Sequence, residues 1–125
     1  MKQLKITVVE SSVKDKLRAY AIAKKADTIK ASDYLETPFK VKDYVITENI
    51  LTDDETGEVS QPMTCITILT VDGETIGTNS KPLINGFKEL MDIAKDNGTD
   101  FSTLELIITQ QNGKNGRFNS ISFVL

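Results

Sequence analysis

Between Ser80 and Gly98 the chain carries a clear helical stripe. Leu83, Ile84, Phe87, Leu90, Met91 and Ala94 stand at i, i+1, i+4, i+7, i+8 and i+11, which places them on one side of a 3.6-residue turn. Lys88, Glu89, Asp92, Lys95 and Asp96 take the other side. A helix with one apolar face has to bury that face against another element. The flanking segments read as strands, so the spacing predicts a mainly β domain with one principal helix over residues 81–95. Ser80 suits its N-terminal cap and Gly98 its exit.

The strand readings follow from period-2 patterning and turn residues. Residues 1–10 alternate weakly through Leu4, Ile6 and Val8, as an added strand or an N-terminal arm. Residues 13–25 fit two periods. Val13, Leu17, Tyr20, Ala21 and Lys24 suit a helix, whereas a strand from Leu17 sets Arg18, Tyr20, Ile22 and Lys24 on one face. Residues 26–38 read as a long loop. Residues 39–52 form a long strand, bent so that it serves two parts of a barrel, with Lys40, Lys42 and Tyr44 on one side. Residues 53–60 make an acidic hairpin tip turning at Thr56 and Gly57. Residues 63–71, apolar on both faces, read as a central strand; Asp72 and Gly73 turn it into a short partner over 74–78. Past the helix, residues 103–109 form a buried strand and 110–116 a flexible polar loop. A closing strand over 118–125 has Ile121, Phe123 and Leu125 on one face. This order predicts an OB-like five-stranded barrel with one helix between strands three and four, in a single domain of 125 residues.

Chemistry is narrowed by what is scarce. The chain has no histidine, hence neither the commonest general base nor the commonest transition-metal ligand. Cys65 is the single cysteine, set in an apolar run and read as a buried core thiol. The acidic tip lacks the spacing of a calcium loop, and Asn-Gly-Lys-Asn-Gly at 112–116 lacks the Walker pattern. These features predict a protein that is not an enzyme, with no catalytic residues, no metal, no cofactor and no small-molecule substrate. No apolar run approaches the ~20 residues of a membrane span, and the N-terminus carries no signal-peptide apolar segment, so a cytoplasmic protein without membrane partners is expected.

Net charge is −3, but it is unevenly spread. Ten of the 15 Lys and Arg residues lie at or before Lys42, with only five of the 18 Asp and Glu. A local basic surface, rather than net charge, governs encounter with phosphate. Tyr20, Tyr34 and Tyr44 lie among lysines, where bases stack on aromatic rings and cations follow the backbone. The candidate nucleic-acid-binding residues are Arg18, Tyr20, Lys24, Lys30, Tyr34, Lys40, Lys42, Tyr44, Lys114 and Arg117. A solvated basic surface and core aromatics are the competing readings.

The pieces "LRAYAIAKKADTIKASDYL", "TCITILTVDGETIGTNSK", "PLINGFKELMDIAK" and "IITQQNGKNGRFNSISFVL" resemble a known family. It comprises the small single-stranded DNA-binding proteins of protein-primed tailed phages (the phi-29-like group) and their relatives in phages and mobile elements of Gram-positive bacteria. The resemblance runs from Leu17 through Leu125. It implies an OB-like fold, no catalysis, and coating of strands displaced during phage replication in the host cytoplasm, beside phage replication proteins as possible partners. It also favours the strand reading of 17–25. One departure is Ile76, where the family tends to place an aromatic. The rival function is an OB-like adaptor that binds a host or replication protein through the acidic tip at 53–58.

Overall fold

A computed structural model describes residues 2–124; Met1 and Leu125, the latter expected on a face with Ile121 and Phe123, lie outside the described residues. The elements are β1 (Lys2–Ser11), α1 (Lys16–Ala23), β2 (Ile29–Lys30), β3 (Phe39–Asp53), β4 (Met63–Thr70), β5 (Thr75–Thr78), α2 (Lys81–Asp96), β6 (Glu105–Gly113) and β7 (Gly116–Phe123). Short 3-10 turns occupy Ala31–Asp33 and Phe101–Thr103. The fold is mainly β: a curled sheet in half-barrel form, with two α-helices.

β3 is the strand the others share. Its first residues pair with β6, Phe39 opposite Leu106 and Lys40 opposite Glu105. Farther along, one edge pairs with β4 and the other with β1. The register against β4 slips between Val41 and Asp43, a bulge at Lys42 that bends the strand between two sheet directions. The hydrogen-bonded path runs β2-β5-β4-β3-β6-β7, with β1 added on β3. The expected bent strand is therefore present, and the N-terminal segment is an added strand rather than an arm.

Two expectations fail. Residues 17–25 are not a strand: α1 forms there. Asp15 caps it, its carboxylate accepting from the Leu17 N–H at 2.9 Å, and Ala19 and Ile22, three apart, are buried. Both edges of β3 around Val45 are filled by β1 and β4, and the segment packs on the face of the sheet through Ala19 and Ile22. Residues 110–116 are not a loop either. β6 and β7 stay paired from Gln110 opposite Asn119 out to Gly113 opposite Gly116, leaving a two-residue turn at Lys114 and Asn115. Ladder hydrogen bonds use backbone groups, so a polar, two-sided-exposed hairpin lacks the apolar alternation that betrays a strand.

α2 behaves as its stripe requires. Leu83, Ile84, Phe87 and Ala94 are buried, with Leu90 and Met91 packed against the same core. Gly86 lets the helix lie close on β7, since a Cβ there would stand 3.4 Å from Ile121 Cγ2. Gly98, at φ 68°, turns the chain out of the helix where other residues would be strained. Opposite, the sheet contributes Val41, Ile46, Ile66, Ile68, Leu106 and Ile108. A smaller cluster forms on the other face of the sheet, where Ala19 and Ile22 of α1 meet Val45.

Phe87 is fully buried at the centre of the larger core. Truncating such a ring costs about 3–5 kcal/mol, and an unpaired carboxylate costs more. Phe87→Asp is expected to lose the cooperative thermal transition and native circular dichroism. A soluble, cooperatively melting variant would contradict this packing.

Candidate nucleic-acid interface

The candidate residues fall around one end of the sheet and one distant hairpin tip. Arg18 and Tyr20 on α1 and Lys24 at its C-terminal cap are all exposed, and the Lys24 ammonium lies 5.3 Å from the centre of the Tyr20 ring. Tyr20 keeps 42% of its surface open, so its ring is accessible to a stacking partner. Lys25 Nζ donates to the Gly73 carbonyl at 2.9 Å, which places the end of α1 at the β4–β5 turn. The start of β3 reaches the same turn: the Val71 N–H donates to the Lys40 carbonyl at 3.0 Å. Lys42 is the bulged residue facing Leu69 and Thr70. Tyr34 arrives from the other side, its phenol donating to Glu74 Oε1 at 3.0 Å. Lys24, Tyr34, Lys40 and Lys42 thus lie around this turn, with Lys25 as a member that nothing in the sequence distinguished from its neighbours; Asp27, 3.9 Å from Lys25 Nζ, and Asp72 and Glu74 of the turn stand among them.

Tyr44 does not belong with them. Three residues at two-residue steps should share a face, but the bulge at Lys42 intervenes. Lys40 and Lys42 are exposed, while Tyr44 packs against the α2 core. Its ring meets Phe87 edge to face at 5.1 Å and Phe101 at 6.0 Å. Tyr34 is only partly open as well, because its ring lies 5.9 Å from Phe39, again edge to face. Burial pushes both phenols above their ordinary 10.0, with Glu74 adding to the effect at Tyr34 and Glu10 and Asp92 adding at Tyr44.

Lys114 and Arg117 stand at the exposed tip of the β6–β7 hairpin. β6 starts beside Lys40 and runs eight residues to Gly113, about 27 Å at strand rise, so the two groups are separate. Phe118 lies on that hairpin near its tip, its ring against Gly113. Lys30 lies between the groups. It lines a polar cleft of about 420 Å³ with Ser32, Asn79, Ser80 and Asn119, spanning from β2 to β7.

Cys65 is half-buried rather than in the core. Its Sγ accepts from Asn49 Nδ2 at 3.3 Å, and burial pushes the thiol up, which keeps it protonated and weakly nucleophilic. Among the described residues no group of three or more His, Cys, Asp or Glu is placed to hold a metal ion, and no helix is long and apolar enough to cross a membrane. The acidic tip, 54–58, is exposed throughout.

Comparisons with protein-family models, with curated proteins and with solved structures gave no match.

Because Tyr44 is a packing residue, Tyr44→Ala is expected to cost about 2 kcal/mol of stability, seen as a lowered melting temperature. Its raised phenol pKa sets a sign as well. The folded state holds the proton more tightly than the unfolded one, so this contribution is complete below pH 10.0 and is lost as pH rises through the folded value. Tyr44→Phe should accordingly flatten the fall of stability in alkali. An unchanged alkaline melting profile would count against the placement.

Proposed function

We propose that this chain is a non-enzymatic single-stranded DNA-binding protein with an OB-like barrel at its centre. The topology supports the fold reading. β3, β4, β5, α2, β6 and β7 follow in the order of an OB-fold, and pairing runs β5-β4-β3-β6-β7. On this reading β1, α1 and β2 are additions ahead of the five barrel strands, and α2 falls between the third and fourth of them. The acidic hairpin then takes the place of the loop after strand one, and the Lys114 turn that of the loop after strand four.

In an OB-fold the face of strands two and three meets the oligonucleotide. Here that face carries α1 and the segment after it. Leu69 of β4 packs against the Ala19, Ile22 and Val45 cluster under α1, and Thr28 Oγ1 lies 2.9 Å from Thr75 Oγ1 on β5. DNA would therefore run over α1, not over the bare sheet. The observation that carries the proposal is the group of exposed lysines around the β4–β5 turn: Lys25 Nζ reaches the Gly73 carbonyl, Lys40 meets the turn through its backbone, Lys42 is the bulged residue beside it and Lys24 lies over Tyr20, with Asp27, Asp72 and Glu74 as the acidic residues among them. Lysines there meet phosphates, and Tyr20 offers a π surface to bases of any sequence. Coating of displaced strands during phage replication in the host cytoplasm is the setting that the family resemblance supplies.

An adaptor function has one observation of its own. Beside the exposed acidic tip, Leu51 and Val59 are exposed apolar residues lining a small depression with Asp53 and Glu58. A stoichiometric partner that survives nuclease treatment in a pull-down, with no oligonucleotide binding, would favour it.

Fluorescence anisotropy with labelled oligo-dT tests the main reading. Binding should weaken as salt rises. Tyr20→Ala should cost ~1–3 kcal/mol with little change in salt slope. Lys42→Ala should reduce the slope by about 0.7, the share of one single-strand phosphate contact. Absence of binding at low salt would overturn the proposal.

A further inference from the structure

α1 covers only part of the sheet face it sits on. Val8 of β1 and Val45 of β3 lie in the cluster beneath it. Side chains alternate along a strand, so Leu4 and Ile6 share that face with Val8, and Leu51 shares it with Val45. The pairing agrees, because Leu4 stands opposite Leu51. Met63 lies opposite Asn49 on the same side. Beyond α1 these residues stay open: Leu4 is 55% exposed, Leu51 42% and Met63 49%. Single exposed apolar residues are ordinary, but neighbours on one sheet face form a patch of the kind that marks an interface.

α1 has an open face of its own. Ala19, Ile22 and Ala23 turn towards the sheet, so Leu17 and Ala21, four apart, point the opposite way, and Leu17 is 81% exposed. The apolar spacing of Leu17, Tyr20 and Ala21 therefore looks outward rather than into a core. Charge separates the two surfaces. Residues 14–25 hold five Lys and Arg against the capping Asp15. Residues 51–60, where the open patch ends, contain neither Lys nor Arg. Lys2 pairs with Asp53 in the ladder and Lys81 stands beside Met63, so the acidic character there rests on the exposed Asp54 and Glu58. β3 runs from Val45 under α1 to Asp53, about 27 Å at strand rise, which keeps the helix away from the acidic end of its own chain.

We infer that two copies of the chain meet through this face, packed about a two-fold axis, with each α1 lying on the part of the sheet that its partner leaves open. A helix raises one end of the face by its own thickness, about 10 Å. A second copy laid antiparallel brings its helix beside the first rather than on top of it. Leu17 and Ala21 then meet the partner's Leu4, Ile6 and Leu51, while Lys16 and Arg18 come to the end that carries the partner's Asp54 and Glu58. A two-fold contact is self-complementary, so each attraction occurs twice and the assembly closes at two chains. Opposite charge guides the encounter and fixes its orientation. The inference does not rest on nucleic-acid binding. The outer face of α1 can serve the second copy or a DNA strand, one at a time.

Sedimentation velocity on the full chain, without nucleic acid, tests this. At about 200 μM protein and about 50 mM salt the chain should sediment as a dimer, and the dimer should weaken as salt rises. Leu17→Glu should give a folded monomer, because the position is open and a carboxylate in the first helical turn suits the helix dipole. Two charge-reversed proteins, Lys16→Glu with Arg18→Glu and Asp54→Lys with Glu58→Lys, should each dimerise at least tenfold more weakly than the parent while keeping its thermal melt. Their equimolar mixture should recover the dimer, since each reversed surface then faces its complement. A single-chain mass for the parent at that concentration, a dimer that survives Leu17→Glu, a mixture that stays monomeric, or a mass that keeps growing past two chains would overturn the inference.

Discussion

One strand carries the architecture. β3 is hydrogen-bonded to β1 and β4 along most of its length and to β6 at its start, so it belongs to both sheet directions. A regular strand cannot do this while keeping one face on the core. The bulge at Lys42 resolves the conflict by adding a residue and reversing the alternation. Val41 before it and Ile46 after it both reach the core against α2, although odd and even positions ordinarily oppose each other. That reversal also sends Tyr44 inward to Phe87 and leaves Lys40 and Lys42 outside. A packing requirement in the core thus decides which aromatic is available at the surface.

α1 is the second determinant of where function can lie. It buries only Ala19 and Ile22, and Leu17 remains 81% exposed, so its hold on the sheet is modest by burial of apolar area. Its position matters more than its contribution to stability. Covering β4's outer face, it replaces an apolar sheet surface with Arg18, Tyr20 and Lys24. The end of α1 is thereby brought, through Lys25, to the end of the sheet where the β4–β5 turn meets the Lys40 backbone.

Charge is partitioned by face in the same way. With a net charge of −3, the chain still presents exposed lysines around the β4–β5 turn and an acidic tip on the hairpin after β3. At physiological salt, fields between exposed charges fade over about 8 Å, so such regions act independently of one another and of the net charge. Surfaces of opposite preference can then coexist on one small domain.

The sequence by itself determined the elements whose pattern is an energetic necessity. α2 had to form where Leu83, Ile84 and Phe87 make a stripe, and β4 where both faces run apolar, because burying those side chains is what stabilises the fold. The Asp72-Gly73 turn and the long bent strand were legible for similarly local reasons. Only the tertiary structure decided the rest. Residues 17–25 satisfy two periods equally, and the packing of Ala19 and Ile22 against Val45, on a strand whose two edges β1 and β4 already fill, goes with the helix. The β6–β7 hairpin outlasts its apolar pattern because backbone pairing needs no apolar side chains. Tyr44 parted from Lys40 and Lys42 through a bulge that leaves no mark in composition, since a single extra residue in a strand is set by what both edges must pair with.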